Sequence, residues 1–186
     1  MKNRLEESRK IEFFFKKLYH LFFSEKFFKK INFEFDERGR LDLIKHAIEK
    51  NSYKTYLEIG CHLNEIFDEI EIEKVGVDPV SGGNYRGTSD QFFKENSQKF
   101  DCIFIDGLHT YQQVRKDIFN SLNFLNENGT IILHDCLPSS ISCQRVPRTR
   151  YKWNGDVWKA IVETRIKEHL DTYTIIADHG LGIIKK

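Results

Sequence analysis

Tyr56-Leu57-Glu58-Ile59-Gly60 is answered further along the chain by Phe104-Ile105-Asp106-Gly107-Leu108-His109 and by Ile132-Leu133-His134-Asp135. Each is an apolar run that delivers an acidic residue where a strand should end. In an open parallel α/β sheet, side chains at the carboxyl ends of the strands face one crevice, and ligands bind there. One such run would carry little weight. Three in order, with helical stretches between them, predict an α/β doubly wound sheet with a ligand site along one edge.

Working outward, Thr55 to Ile59 reads as the first strand, and Lys74-Val75-Gly76-Val77-Asp78 as the second. Residues 79–88, rich in Gly and Ser, leave room for at most a short third strand. Asp101 to Asp106 and Thr130 to His134 follow as buried strands, apolar on both faces. Helices are predicted over 40–51, from Asn64, from Thr88 or Ser89 through Ser97, over 111–125 and over 156–170. Tyr173 to Ala177 and Leu181 to Ile184 lie too close together for a crossover helix, so they close the chain as an antiparallel hairpin. Residues 137–154, with Pro138, Pro147 and several Ser, read as a long loop.

Composition bounds the rest. The chain has 186 residues and a formal net charge of +1, which gives no electrostatic case for nucleic acid as a partner. Four cysteines, at 61, 102, 136 and 143, form no CxxC pair, which argues against structural zinc. Free thiols without an export pattern point to the cytoplasm. No apolar run approaches the length of a transmembrane span.

Residues 1–37 read as an N-terminal Phe- and Lys-rich helical extension, and 38–186 as the main domain. The extension has two readings. Its aromatic stripe can pack on the domain or on a second subunit, giving a homodimer, and this reading is preferred. Alternatively, it is a basic amphipathic helix in peripheral contact with a membrane surface.

The turn Glu58-Ile59-Gly60-Cys61-His62-Leu63-Asn64 lacks the three-glycine spacing that admits a pyrophosphate, which weakens a dinucleotide reading. Asp78 nevertheless stands where an acidic residue accepts ribose hydroxyls. An acid for the ribose without a phosphate cradle suits an adenosine carrying a non-phosphate tail.

These motifs, with V-G-V-D-P at 75–79 and G-D-V-W-K-A-I at 155–161, resemble the class I S-adenosylmethionine-dependent methyltransferases. The likeness is to a small bacterial group with I-D-G-x-H-x-Y and L-H-D motifs, and it spans roughly residues 38–186. It implies a Rossmann-like, mostly parallel sheet with S-adenosylmethionine as cofactor. By that resemblance Glu58 and Gly60 line the methionine end, Asp78 binds the ribose, and Ser89 and Asp90 sit by the adenine. Asp106 lies where the family holds the methionine amino group and the acceptor. One position departs: the family often has glycine where Asn64 stands, and Asn can adopt the same left-handed conformation.

Methyl transfer to oxygen or nitrogen needs an aligned acceptor and a way to remove its proton. His109, with Asp106 beside it, is the natural catalytic base, since imidazole titrates near neutral pH. Asp106 and Asp135 could also hold a divalent metal, although Cys136 beside them is a poor ligand for hard ions, so none is expected. Tyr111, Arg145, Arg148 and Trp153 are candidate substrate-binding residues, suited to an anionic group or a ring. The expected function is methylation, at a hydroxyl, of a small-molecule or sugar acceptor such as a glycan precursor. A catalytically inactive cofactor-binding or assembly protein of the same fold is the alternative.

Overall fold

The computed structural model describes residues 10–23 and 33–186. The remainder of the extension, 1–9 and 24–32, lies outside the described residues. Among the described residues, helix α1 (Lys10–Phe23) stands apart in sequence from the sheet. Helix α2 (Arg40–Asn51) then leads into strand β1 (Thr55–Ile59), followed by β2 (Glu73–Asp78) and the two-residue β3 (Tyr85–Arg86). Helix α3 (Ser89–Glu95), β4 (Phe100–Ile105), α4 (Tyr111–Asn123) and β5 (Leu125–Leu133) continue the alternation. A short helix α5 (Ile141–Gln144), then α6 (Trp158–Arg165), β6 (Asp171–Ile175) and β7 (Leu181–Lys185) complete it.

The seven strands form one sheet in the order β3-β2-β1-β4-β5-β7-β6. The first five pair in parallel, while β7 runs antiparallel to both β5 and β6. This is the mostly parallel Rossmann-like sheet with a closing antiparallel hairpin that the strand pattern predicts. Period-two alternation divides the core. Leu57, Ile59, Ile103, Ile105, Ile131 and Leu133 face α3, α4 and α6, where Phe92, Val114, Ile118, Ala160 and Ile161 pack on them. Tyr56, Cys102, Phe104, Ile132 and Ile183 line the opposite face beneath Leu43 and Ile44 of α2. Each of these fully buried aliphatic side chains contributes about 1.5–3 kcal/mol.

The strand order reverses between β1 and β4, and there the carboxyl ends are held level by bonds beyond the strands themselves. Gly60 N–H donates to the Val77 carbonyl at 2.9 Å, Asp106 N–H to Ile59 at 2.8 Å, and His134 N–H to Ile105 at 3.1 Å. Gly60 has φ +92°, and a Cβ there would overlap the Asp106 carbonyl and lie 2.6 Å from Gly107 Cα. Only glycine permits that approach.

Several elements differ from expectation: β5 begins at Leu125 rather than Thr130, and the 137–154 loop carries the short helix α5. From Asn64 the chain makes turns and a single 3-10 turn (Phe67–Glu69) rather than a helix. Asn64 has φ +62°, which stops helix propagation, and its side-chain oxygen accepts the Gly83 N–H at 2.7 Å. Lys74 Nζ donates to the Phe67 and Ile70 carbonyls, satisfying them from the side. Helix α6 is shorter than 156–170, ending at Arg165. At the start of α3, Thr88 rather than Ser89 is the N-cap, in a reciprocal capping box with Gln91.

Candidate active site

A cavity of about 840 Å³ opens along the carboxyl ends of β1, β2, β4 and β5. Small-molecule sites commonly fall in this size range. Glu58, Gly60, Asp78, Ser89, Asp90, Asp106, His109 and Asp135 all line it. Ile59, Leu63, Val77 and Val80 supply apolar wall between the polar ends.

At one end stands Glu58, only 2% exposed, on the α2 side of β1. Its carboxylate accepts the Tyr56 hydroxyl at 2.7 Å. Burial pushes its pKa up to about 7, against the favourable Tyr56 hydrogen bond. Arg40, from the first turn of α2, reaches the same end of the cavity, and its buried Nε makes no hydrogen bond. At the other end, Gln113 Nε2 of α4 donates to Ser89 Oγ, Asp90 Oδ1 and Asp117 Oδ1 at 3.2, 3.1 and 3.0 Å. Asp117 is 1% exposed, and burial lifts it to about 6.

Between the two ends, Asp78 accepts the main-chain N–H groups of His62, Val80 and Ser81 at 3.0, 2.8 and 2.9 Å. Burial opposes its ionisation, but these three donors hold the carboxyl below its usual value. Asp78 therefore shapes both loops that wall the cavity, and only part of its acceptor capacity is left for a ligand.

The most densely charged region lies at the ends of β4 and β5. Asp106 Oδ1 accepts from His109 Nε2 at 3.2 Å and from His134 Nδ1 at 3.1 Å. His109 Nδ1 lies 3.0 Å from Asp135 Oδ2, and His134 Nε2 lies 3.3 Å from Asp178 Oδ1. Asp178, from the β6–β7 turn, also accepts the backbone N–H of Arg40 at 2.9 Å and its guanidinium at 3.2 Å. Asp135 has φ +64°, so the chain turns sharply as it leaves β5 and sets the carboxylate against His109. Asn154 donates to the other Asp135 oxygen.

Burial disfavours charge on both imidazoles, yet each ends with its pKa raised to about 10. For His109 the hydrogen bonds to Asp106 and Asp135 outweigh the desolvation, and for His134 the charges and hydrogen bonds of Asp106 and Asp178 do so. Burial likewise opposes ionisation of Asp106, but the two imidazoles hold it well below the usual carboxylate range. Three carboxylates thus meet two imidazolium rings and Arg40, and the cluster balances its own charge. With its pKa raised, His109 favours the protonated form at neutral pH, so a proton must leave it before it can accept another.

Asp106, His134 and Asp135 each offer one ligand atom, all within 4.8 Å of one another, an arrangement a divalent cation could use. Two carboxylates with an imidazole suit a transition metal better than magnesium. Any such ion would have to displace imidazolium protons. Cys136 does not join the set: its thiol lies against the Leu133 and His134 carbonyls, and burial pushes it up to about 12.

Of the four candidate acceptor residues, only Trp153 reaches this cluster. Its ring stacks on His109, with centroids 5.5 Å apart and planes 20° apart. Tyr111 turns instead to Glu163 on α6, donating its hydroxyl at 2.9 Å. Arg148 donates to the Arg150 and Tyr151 carbonyls, and Arg145 faces a second cavity against α1. Both arginines therefore lie outside the main cavity, because the loop carries its charge outward and only its end, at Trp153 and Asn154, returns to β5. Arg40, Gln113, Asp117, Asn154 and Asp178 are the residues the sequence reading missed. Only the Gln113/Asp117 pair left a signal, as polar residues one turn apart on an otherwise amphipathic helix.

A family model for a methyltransferase domain matches residues 40–136, just over half the chain and all of the segment from Arg40 to Cys136. This chain belongs to the methyltransferase-domain family. With the cavity above, it is an S-adenosylmethionine-dependent methyltransferase of the Rossmann-like class. Among curated proteins, none matches the sequence. Among solved structures, a protein described as a caffeoyl-CoA O-methyltransferase, from Staphylococcus aureus, superposes with TM-score 0.60 at 23% identity, covering 83% of this chain and 86% of that one. An SAH-bound methyltransferase from Podospora anserina gives 0.59 at 16% identity, over 78% and 77% of the two chains. A Bacillus cereus O-methyltransferase in complex with SAH gives 0.51 at 13%, over 95% and 89%. At these identities the likeness to the three structures is one of fold.

Proposed function

We propose that this methyltransferase modifies a hydroxyl of a small molecule or glycan precursor, with the acceptor presented to the Asp106–His109–Asp135 end of the cavity. The observation that carries the reading is His109 itself. It is stacked by Trp153, bracketed by two carboxylates and open to the cavity that ends at Glu58 and Arg40.

The residues present suit the cofactor. Its amino-acid tail is zwitterionic, and one end of the cavity offers both signs: the Glu58 and Asp106 carboxylates for an ammonium, and for a carboxylate the Arg40 guanidinium, whose Nε makes no hydrogen bond and lies 3.9 Å from Asp106 Oδ2. Asp78 stands by for the ribose, and Ser89, Asp90 and Asp117 for the adenine. When bound, the cofactor supplies an electrophilic methyl group on a sulfonium.

The chain's own residues then do three things. Gly60, by letting β1 and β4 close together, keeps the tail end and the acceptor end within one cleft. Trp153 and Asn154 fix the rings and carboxylates of the cluster, so little reorganisation is needed when an acceptor arrives. His109, once deprotonated, takes the hydroxyl proton at Nε2, and Asp135 at Nδ1 stabilises the imidazolium that forms. Metal assistance at Asp106, His134 and Asp135 is the second reading, favoured by the spacing of their ligand atoms.

The test is a panel of hydroxylated acceptors assayed for SAH release, with and without manganese or magnesium. Acceptor-dependent release that His109→Gln abolishes supports the assignment. Release confined to amine acceptors, or undiminished in His109→Gln, overturns it. Strict dependence on added metal would favour the second reading.

A further inference from the structure

Helix α1 touches the domain along a narrow line. Phe13 and His20 point inward, 8% and 2% exposed, and His20 Nε2 lies 2.8 Å from the Pro147 carbonyl. At about 100° per residue these two positions nearly coincide around the helix axis. Lys16 falls on one flank of that line, and Lys10 and Lys17 fall on the other. The opposite side, which faces away from the domain, is carried by Ile11, Phe15, Leu18 and Phe22. Ile11 is 74% exposed and Phe22 79%, values far above those of the core.

Behind the helix, between it and residues 142–152, lies a second cavity of about 960 Å³. Among the described residues, five cations line it (Lys10, Lys17, Arg145, Arg150 and Lys152) and no acidic side chain does. Thr149, also in its wall, is 1% exposed, yet its hydroxyl has no hydrogen-bond partner among the described residues. A buried hydroxyl left over among cations marks a place for an acceptor-rich group such as a phosphate. The sequence shows the same asymmetry: residues 1–35 hold nine of the sixteen Phe and nine Lys or Arg against five Glu, while the rest of the chain is acidic in excess.

We propose that α1 docks this enzyme on an anionic phospholipid bilayer, with its aromatic side in the acyl boundary and the cavity cations meeting lipid phosphates. Lys10, Lys16 and Lys17, set between the inward line and the outward apolar face, can extend their charge to the headgroup layer while their stems remain in apolar surroundings. A second copy of this chain fits the face less well. It would bring the same lysine flanks and the same five-cation cavity against their own image, and like charges facing one another oppose association. An anionic surface neutralises both.

Flotation of the full chain with vesicles provides the test. Vesicles of phosphatidylcholine mixed with phosphatidylglycerol should bind the protein at least about tenfold better than phosphatidylcholine alone, and added salt should weaken the binding. Phe15→Glu with Phe22→Glu should abolish it, and Lys17→Glu with Arg150→Glu should reduce it to the level of neutral vesicles. Cofactor affinity measured on each variant reports that the domain still folds. Equal partition into both vesicle types, or charge-reversed variants that bind undiminished, overturns the proposal. So does a dimer in sedimentation that Phe22→Glu dissociates while vesicles fail to bind, which would assign the face to a second copy. Full competition by inorganic phosphate, with the phenylalanine variants still binding, would reduce it to a site for a free anion.

Discussion

The indole of Trp153 lies over the imidazole of His109, and its Nε1–H is anchored on the Arg145 carbonyl at 2.6 Å. The ring is thus fixed from the loop side while His109 is fixed from the strand side. Trp153→Ala should lower turnover by about ten- to a hundredfold, because the histidine loses one wall of its cage. S-adenosylmethionine affinity should stay within about threefold, and Trp153→Phe should recover part of the rate. Steady-state kinetics alongside calorimetry would separate the two effects, and a parallel loss of cofactor binding would place Trp153 elsewhere in the mechanism.

His109 is protonated below about 10, so the fraction able to accept a proton grows as pH rises. Turnover should climb by about tenfold per unit across neutral pH and flatten as the coupled cluster loses its proton. A flat profile from pH 6 to 9 would mean that His109 acts as a fixed cation and takes no proton from the acceptor.

Glu58 gives a pH signature of opposite origin. Its folded-state pKa of about 7 lies above the ordinary 4.5, so the native state resists ionisation. The stability associated with the neutral carboxyl is fully present below about pH 4.5 and lost as pH rises to about 7, a change of about 3 kcal/mol. Denaturant titration of the cofactor-free protein at pH 5 and pH 8 should show this loss, and Glu58→Gln should largely remove it. Cofactor binding should release a proton near neutral pH, since an ammonium beside Glu58 favours the ionised form. Identical heats of binding in buffers of different ionisation enthalpy would contradict that.

Asp178→Asn removes the charge that answers both Arg40 and His134. Stability should fall by about 1–3 kcal/mol, and His134 should titrate at lower pH than in the parent, visible in imidazole nitrogen shifts. An unchanged His134 titration would mean that Asp106 alone sustains it.

Asn64→Gly keeps the left-handed turn but loses the hydrogen bond to Gly83, so it should cost no more than about 1 kcal/mol. Asn64→Val, which resists positive φ, should cost more and weaken cofactor binding by displacing the turn. Equal effects of the two substitutions would remove backbone conformation from the explanation.

The strands and the residues at their ends were legible because one pattern encodes both. An apolar run of four to six residues requires a buried strand, and the polar residue that ends it must stand at the sheet's edge. Glu58, Asp78, Asp106 and Asp135 all follow from that logic. His134 does not, since its place inside the L-H-D run reads as core until its ring is seen between Asp106 and Asp178. Arg40 and Asp178 are almost 140 residues apart and meet only through the position of β7 between β5 and β6. No local periodicity reports such a meeting. The place of the 137–154 loop's arginines was not legible for the converse reason: charge shows that a residue seeks an anion, but not which way its loop faces. Asn64 ended a predicted helix through a single backbone angle that apolar spacing does not record.

The link between Arg40 and Asp178 also sets an order of events. Asp106, His109, His134 and Asp135 all precede the β6–β7 turn in the chain, and until Asp178 docks, His134 lacks one of its three carboxylate neighbours. The half-built cleft therefore holds charges in the wrong ratio, and the final hairpin both closes the sheet and brings the reacting end to electrical balance. The site is electrically complete only with that strand pairing in place, so a defect in the hairpin, far from the cavity in sequence, would be read out as a fault in catalysis.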